Sequence, residues 1–483
     1  MGHDPPLDQA TLGATDPGAD TPEASSIGYR TVLRHREVRV LAVSRAANKM
    51  AMSTVSYGAM VHLGQVGATQ FQISLVSASS YLAALLFGVQ GGTVADSLSK
   101  RLALAAGQGV MAGLCFAIPS LLGTSAGDLM LLMFLSSFLM QIVSPGLKAA
   151  VALVATPSEL AVTSALVSVI GSVASGFGSA FLAPLLIKLS GIETVLYVSG
   201  MLYAVGSIRS LALAREQTTP VAQALRGVDW RPTALSLRSN AQWIIDHRAV
   251  ATMILGGAIV VALFEAFNTL IPLYVRDVLD SDPANSVYIF APAGVGFLIG
   301  TFLAPPLIQR WGERRLAIVS LIFMSASMAM FGLIDAVAPI LAPISPLRLL
   351  EPFGITLNDK VLAASVIAIP MNFGSTASGA AVANFINRRV PLVRQGAVFG
   401  LEESQENALI LATVLAVGAV AGVAGPQVVM VVAPIVAVSI VVLLLSYSYR
   451  SVAQEHIAVR DAFDMLAADD NDRDTVPDHE VAR

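Results

Sequence analysis

Gly92-Thr-Val-Ala-Asp96-Ser-Leu-Ser-Lys100-Arg101 and, further along, Pro305-Pro306-Leu-Ile-Gln309-Arg310-Trp311-Gly312-Glu313-Arg314-Arg315 are the stretches that decide the fold. Each closes a long apolar run and places basic residues at its end. From Asp96 to Gln309 the offset is 213 residues, about the length of six membrane spans with their loops. An internal repeat of this kind means two similar bundles facing each other, with a binding site at their interface near the bilayer midplane.

Working outward from the repeat, the chain supplies enough apolar runs for both bundles. A helix needs about 20 mostly apolar residues to cross the hydrocarbon. Twelve such runs lie near 38–62, 72–94, 102–122, 129–150, 161–187, 193–213, 249–274, 287–308, 316–338, 361–386, 396–421 and 427–449. They divide six and six about a connection from Ala214 to Arg248. The expected fold is an all-α polytopic membrane protein, its twelve spans in two pseudo-symmetric six-helix bundles at 30–213 and 249–450.

Composition agrees. Of 483 residues, 55% are apolar and 13% charged, and the mean hydropathy is +0.71; a soluble domain carries about 25% charged residues. This excludes a soluble enzyme and a nucleic-acid binder. The single Cys115 excludes a disulfide scaffold and a cysteine-based zinc site. No phosphate-binding glycine loop, catalytic triad or metal-ligand cluster is visible, so no cofactor is expected and active transport must draw on an ion gradient. Residues 1–29 and 451–483 are acidic and too poor in apolar surface to fold, so both read as disordered tails. A stretch at 233–245 reads as an amphipathic helix on the inner membrane surface.

Orientation follows from lysine and arginine. Twenty-two lie in the tails, the connection and alternate loops; four, Lys188, Arg276, Arg348 and Lys360, lie in loops on the other side. Both termini are therefore expected in the cytoplasm, with the chain in the cytoplasmic membrane. A monomer is the simplest expectation.

The paired stretches resemble the signature G-x-x-x-D-[RK]-x-G-R-[RK] of the major facilitator superfamily. Gly92, Asp96, Lys100 and Arg101 match the first copy, with Ser97 and Ser99 departing from it; Arg310, Gly312 and Arg314 match the second, with Gln309 in place of the acid. The resemblance covers residues 30–450. It implies alternating access and a gating role for these seven residues. In the family the carboxylate meets the positive end of a helix from the other half, here the eleventh, and closes the cytoplasmic side.

Arg389-Val-Pro391-Leu-Val-Arg394-Gln-Gly396-Ala-Val-Phe399-Gly400 is similar to the V-P-x-x-x-R-G-R-V-F-G of macrolide-efflux and enterobactin exporters. That likeness implies proton-linked export. Span five carries Gly171, Gly176, Gly178 and Pro184 where drug antiporters have G-x-x-x-G-P-x-x-G-G.

Charge inside an apolar span is costly, about 2.5–3.5 kcal/mol at the centre on insertion scales, so intramembrane ions point to function. Span one holds Arg45, Asn48 and Lys49, with Arg45 and Lys49 on one face. Lys49 lies about 16 Å from Val38 along the helix. It reads as lining the transport cavity, or as half of a structural ion pair. Span eleven holds Glu402, Glu403, Glu406 and Asn407. Three clustered carboxylates in a low-dielectric site cannot all stay ionised, which suits Glu406 or Glu403 to carry a proton. The alternative pairs Glu402 and Glu403 with Arg388, Arg389 or Arg394. Span seven holds Glu265 and Asn268 at a depth similar to Lys49, and Gln141 and Asn372 extend the polar lining.

These residues predict proton-coupled export of a small amphipathic compound. Two alternatives stand beside it: transport of an anionic or zwitterionic metabolite or lysolipid, and a transporter-shaped scaffold that moves nothing.

Overall fold

The computed structural model describes residues 29–156, 159–213, 241–354, 356–390, 392–444 and 446. The expectations for the tails, and most of the central connection, lie outside the described residues. Of the 233–245 segment, residues 241–246 are described and helical.

Among the described residues there are twelve long helices. The first six are α1 (Arg36–Gln65), α2 (Gln70–Ser97), α3 (Lys100–Leu121), α4 (Ala126–Val154), α5 and α6 (Ile192–Ser210); α5 runs Leu160–Phe177, through a π turn at Gly178–Leu182, into Ala183–Ser190. The second six are α7 (Arg248–Asp277), α8 (Val287–Trp311), α9 (Glu313–Gly332), α10 (Asp359–Arg389), α11 (Leu392–Ala424) and α12 (Pro426–Leu444). Ten are long and apolar enough to cross a membrane. The other two, α1 and α6, are 30 and 19 residues long. Their apolar windows are broken by Arg45, Asn48 and Lys49 in one and by Glu193 and Arg209 in the other.

Helix ends follow local chemistry. Thr69 with Gln72 and Ser125 with Asp128 form reciprocal capping boxes that start α2 and α4. Ser99, one of the residues departing from the repeat signature, caps α3 by accepting a hydrogen bond from the Leu102 amide. Gly312, at φ +81°, ends α8 in the left-handed region that favours glycine.

The π turn in α5 has two causes. Pro184 has no amide proton, so the bond it would make one turn back is missing, and a wider turn absorbs the defect. Gly178 also lies so close to α1 that a Cβ would meet Ser53, Thr54 and the Met50 carbonyl. Small residues of this kind let membrane helices approach.

Arginines and lysines crowd one end of the molecule, at Arg36, Arg39, Lys100, Arg101, Arg310, Arg314, Arg388 and Arg389; we call this the basic end. The halves are clasped at the opposite end. There Gln65 donates to Asp282 at 2.9 Å, Arg276 to the Gly64 carbonyl at 2.9 Å and Lys188 to Asn285 at 2.9 Å. One turn deeper, Gln70 donates to the Thr269 carbonyl at 3.0 Å, and the Tyr57 and Phe290 rings meet edge-on. Also in that half of the thickness, α2 and α11 pack through Ala78, Ile410 and Val414, and Ser74 sits where a Cβ on Gly418 would go. Toward the basic end α4 and α10 meet only marginally. Tightness at one end and separation at the other describe a transporter open toward its basic end.

At the clasped end of the second bundle, Asp335 accepts from Lys360 at 2.8 Å and from Gln427 at 3.0 Å. These bonds hold the Asp335 carboxyl below its ordinary range. Its contribution to stability is therefore complete above the unfolded value, about pH 3.9, and is lost as pH falls through the lower folded value. The melting-temperature gap between wild type and Asp335→Asn is expected to be small, because the carboxylate is 62% exposed, and to close below about pH 4.

Gly178→Val is expected to cost about 1–3 kcal/mol through overpacking against α1. Thermal unfolding in detergent checks this, with Gly422→Val, whose Cβ would meet nothing, as the neutral comparison.

Candidate functional site

Lys49 sits 13 residues from the start of α1 and 16 from its end, about 20 and 24 Å along the axis. Glu406 is similarly central on α11, 14 residues from Leu392 and 18 from Ala424. Glu265 lies 12 residues from the end of α7. Three helices thus bring ionisable groups to the middle of the molecule.

The cationic side is built by α1, α4 and α5. Arg45 and Lys49, one turn apart, both lie along α5 at Gly171: a Cβ there would stand 3.0 Å from Arg45 Nε and 3.6 Å from Lys49 Cγ. Glycine at 171 is therefore what lets the two cations lie flat between the helices. Lys148 of α4 completes the group, close enough for its charge to act on Lys49.

The anionic side is one face of α11. Glu402, Glu403 and Glu406 lie within electrostatic range of one another. Glu403 spans the two sides: Lys148 donates to it at 3.3 Å, and its charge also acts on Arg45 and Lys49. The alternative pairing expected from sequence is not what forms for Glu403. Its partner is Lys148, while Arg388 binds Glu313 at 2.8 Å and Arg389 lies over the Phe385 ring. Geometry decides this, since α4 faces the start of α11 across the open end and Arg388 is drawn to the nearer loop.

A second cluster lies deeper and nearer the clasp. Glu265 accepts hydrogen bonds from Asn268 on its own helix and from Tyr81 of α2 in the other half. One turn further, Thr269 donates to Ser77 at 3.4 Å. A carboxylate here ties α7 to α2 at the midplane.

The remaining expected residues divide. Asn48 is completely buried, with neither amide atom partnered, one turn from Ser44. Ser44 bonds Ser210 and Gln108 inside the first bundle. Gln141 donates to the Ser137 carbonyl of its own helix and packs against Gly88 and Gly91 of α2. Asn372 donates to the Ala368 carbonyl of its own helix. Asn407 is half-buried on α11 beside Glu403. These four are not drawn into the Arg45–Lys49–Glu403 group by any bond among the described residues.

For the paired signature, the second copy is fully described. Arg310 is exposed, Gly312 makes the left-handed turn, and Arg314 stacks over Phe385 of α10, 5.7 Å from its centroid. With Glu313–Arg388, this fastens the α8–α9 loop to α10. In the first copy Lys100 and Arg101 open α3, while the side chains of Gly92 and Asp96, and of the 391–397 segment, lie outside the described residues. Among the described residues no group of three or more His, Cys, Asp or Glu is placed to hold a metal ion.

Sequence reasoning missed Tyr81 and Lys148 as site residues. Tyr81 is 11 residues into α2, and counting depth for phenols as well as for charges would have found it. Lys148 reads as an end-of-span charge until α4 is seen to continue to Val154.

Residues 40–401 match the Major Facilitator Superfamily, and the chain belongs to that family. It is a secondary transporter by fold, not an enzyme. No curated protein matches it in sequence. Among solved structures it is similar to a mutant of the nucleoside transporter NupG, at TM-score 0.63 and 15% identity, over 85% of this chain and 99% of that one. It is also similar to the POT family transporter PepTSo, at TM-score 0.59 and 14% identity, over 86% and 98%. Identities this low establish the shared fold.

If the clasp seals the far end, groups beneath it are shielded. In a Cys115→Ala background, Ser77→Cys is expected to react slowly with an impermeant thiol reagent supplied from the clasped side. Adding Gln65→Ala and Arg276→Gln is expected to raise the labelling rate several-fold, read by mass shift.

Proposed function

We propose that this transporter exports a small amphipathic compound in exchange for protons across the cytoplasmic membrane, as a monomer with both termini in the cytoplasm. The observation that carries the reading is the acidic face of α11 set against Arg45, Lys49 and Lys148 at mid-depth, in an interface open toward the basic end. Clustered carboxylates that cannot all be ionised together are suited to take up and release a proton. Glu406 or Glu403 carries it, and Glu265, bonded across to Tyr81, couples protonation to the α2–α7 contact. The efflux-type stretch at Arg389–Gly400 supports the outward direction.

Asp96 and its basic neighbours close the cytoplasmic side when the clasp opens, each arrangement holding one end of the path shut. The basic end is the cytoplasmic one, on the lysine and arginine asymmetry.

A second reading has an observation of its own. Arg45 keeps buried nitrogens without a hydrogen-bond partner, which favours an anionic or zwitterionic metabolite or lysolipid over a purely cationic drug. The scaffold reading has no such support, since a scaffold has no use for charges held at mid-membrane.

Energised inside-out vesicles with a pH-sensitive dye test the proposal. Cationic, zwitterionic and anionic amphiphiles are added in turn to wild type and to Glu406→Gln. Compound-triggered proton release in wild type, absent from the variant, is the expected result. Silence toward every compound, with the protein confirmed in the membrane, overturns proton-linked export.

A further inference from the structure

Arg45 is the most unusual side chain in the molecule. Its Nε and Nη1 atoms are buried and have no hydrogen-bond partner among the described residues. A buried donor left unpaired costs free energy, more so when it is charged. Only the groove at Gly171 allows this placement, because a Cβ there would stand 3.0 Å from Nε. The nearest carboxylate is Glu403, and its hydrogen bond goes to Lys148 instead. Lys49, one turn along, adds a second positive charge and has no ion-pair partner of its own within 4.0 Å among the described residues.

We propose that Arg45, backed by Lys49, is an oxyanion-binding subsite that selects transported molecules bearing a carboxylate or phosphate group. The proposal deepens the functional reading above, resting on the view that α1 and α11 border the transport path. A guanidinium offers five N–H donors on a rigid plane, matched to a group with two or more anionic oxygens. In water such a residue gains little by exchanging solvent for a ligand. Here the donors are already stripped of partners, so an arriving oxyanion satisfies groups that are otherwise unpaired. The side chain turns from the Gly171 groove toward the ligand, and Lys49 neutralises the remaining charge. The acidic face of α11 opposite then disfavours a second anionic group at the far end of the same molecule, which points to monoanions or zwitterions with an apolar body.

Equilibrium binding without any gradient tests this separately from proton coupling. Purified protein in phosphatidylcholine nanodiscs is titrated with octyl phosphate, octanoate and inorganic phosphate, with octyltrimethylammonium as the opposite charge. Binding of the two alkyl anions to wild type is expected, with Kd raised roughly tenfold or more in Arg45→Gln, the loss expected of hydrogen bonds to a charged group. Arg45→Lys, which keeps the charge and loses the planar donors, is expected to weaken binding as well; it also answers the question if Arg45→Gln does not fold. Arg348→Gln removes a cation from the clasped-end loop and is expected to leave Kd unchanged. Equal Kd in wild type, Arg45→Gln and Arg45→Lys overturns the subsite, as does binding of the cation alone.

A parallel titration in nanodiscs containing phosphatidylglycerol identifies the source of the oxyanion. Loss of octyl phosphate binding there assigns the subsite to lipid headgroups, and unchanged binding assigns it to soluble anions. Vesicle proton release that fails while alkyl-anion binding holds would remove the coupling reading and leave this one standing.

Discussion

The structure depends on how an apolar slab accommodates charge. A lone ion inside hydrocarbon is expensive, and the cost falls only where the ion faces another polar group or a path to water. That constraint fixes the rotation of α1 and α11, which must turn Arg45, Lys49 and the three glutamates toward each other and away from lipid. It also sets α4, because Lys148 reaches Glu403 only if α4 continues a full turn past the depth where a minimal span would stop. The interface between the halves is thus specified by electrostatics at mid-depth and by packing toward the clasp.

Packing toward the clasp is dry and close. Between membrane helices lipid offers no hydrophobic drive, so association relies on contact area and on polar bonds. Gly178 against α1 within the first bundle, and Gly418 against Ser74 between the bundles, provide the contact area. The Gln65–Asp282 and Arg276–Gly64 bonds provide the polar closure where side chains reach water. Because those bonds lie at the solvent edge, each is worth little alone and can be exchanged for water. An interface that must open repeatedly is better served by several weak bonds than by one strong one.

The fold was legible in the sequence because its signals are long and redundant: twelve apolar runs, a 213-residue repeat and a lopsided distribution of lysine and arginine. Arg45, Lys49, Glu403, Glu406 and Glu265 were legible because charge at depth is rare. The partners of these residues were not. Nothing in the order of residues says that Glu403 meets Lys148 rather than Arg388, since the choice turns on how far apart α4 and α10 stand. Asn48, Gln141 and Asn372 show the converse. A polar residue at the right depth can equally satisfy itself on its own helix or vanish between two others, because amides, unlike carboxylates, find local partners at little cost. Tyr81 escaped because a phenol looks apolar in a hydropathy count and polar only beside Glu265.

The two polar clusters also differ in what they can do. The Glu265–Tyr81–Asn268 group is self-contained: its carboxylate has donors from both halves, so its bonds are made when α2 and α7 are together. The α11 carboxylates have fewer fixed partners, and only Glu403 holds one across the interface. A group whose bonds are complete reports on the state of the interface, while a group with bonds to spare answers to what enters. Placed half a bilayer apart on helices that move as parts of one bundle, the two give the protein both a reading of its own conformation and a site that responds to its cargo. Neither cluster alone would link the two.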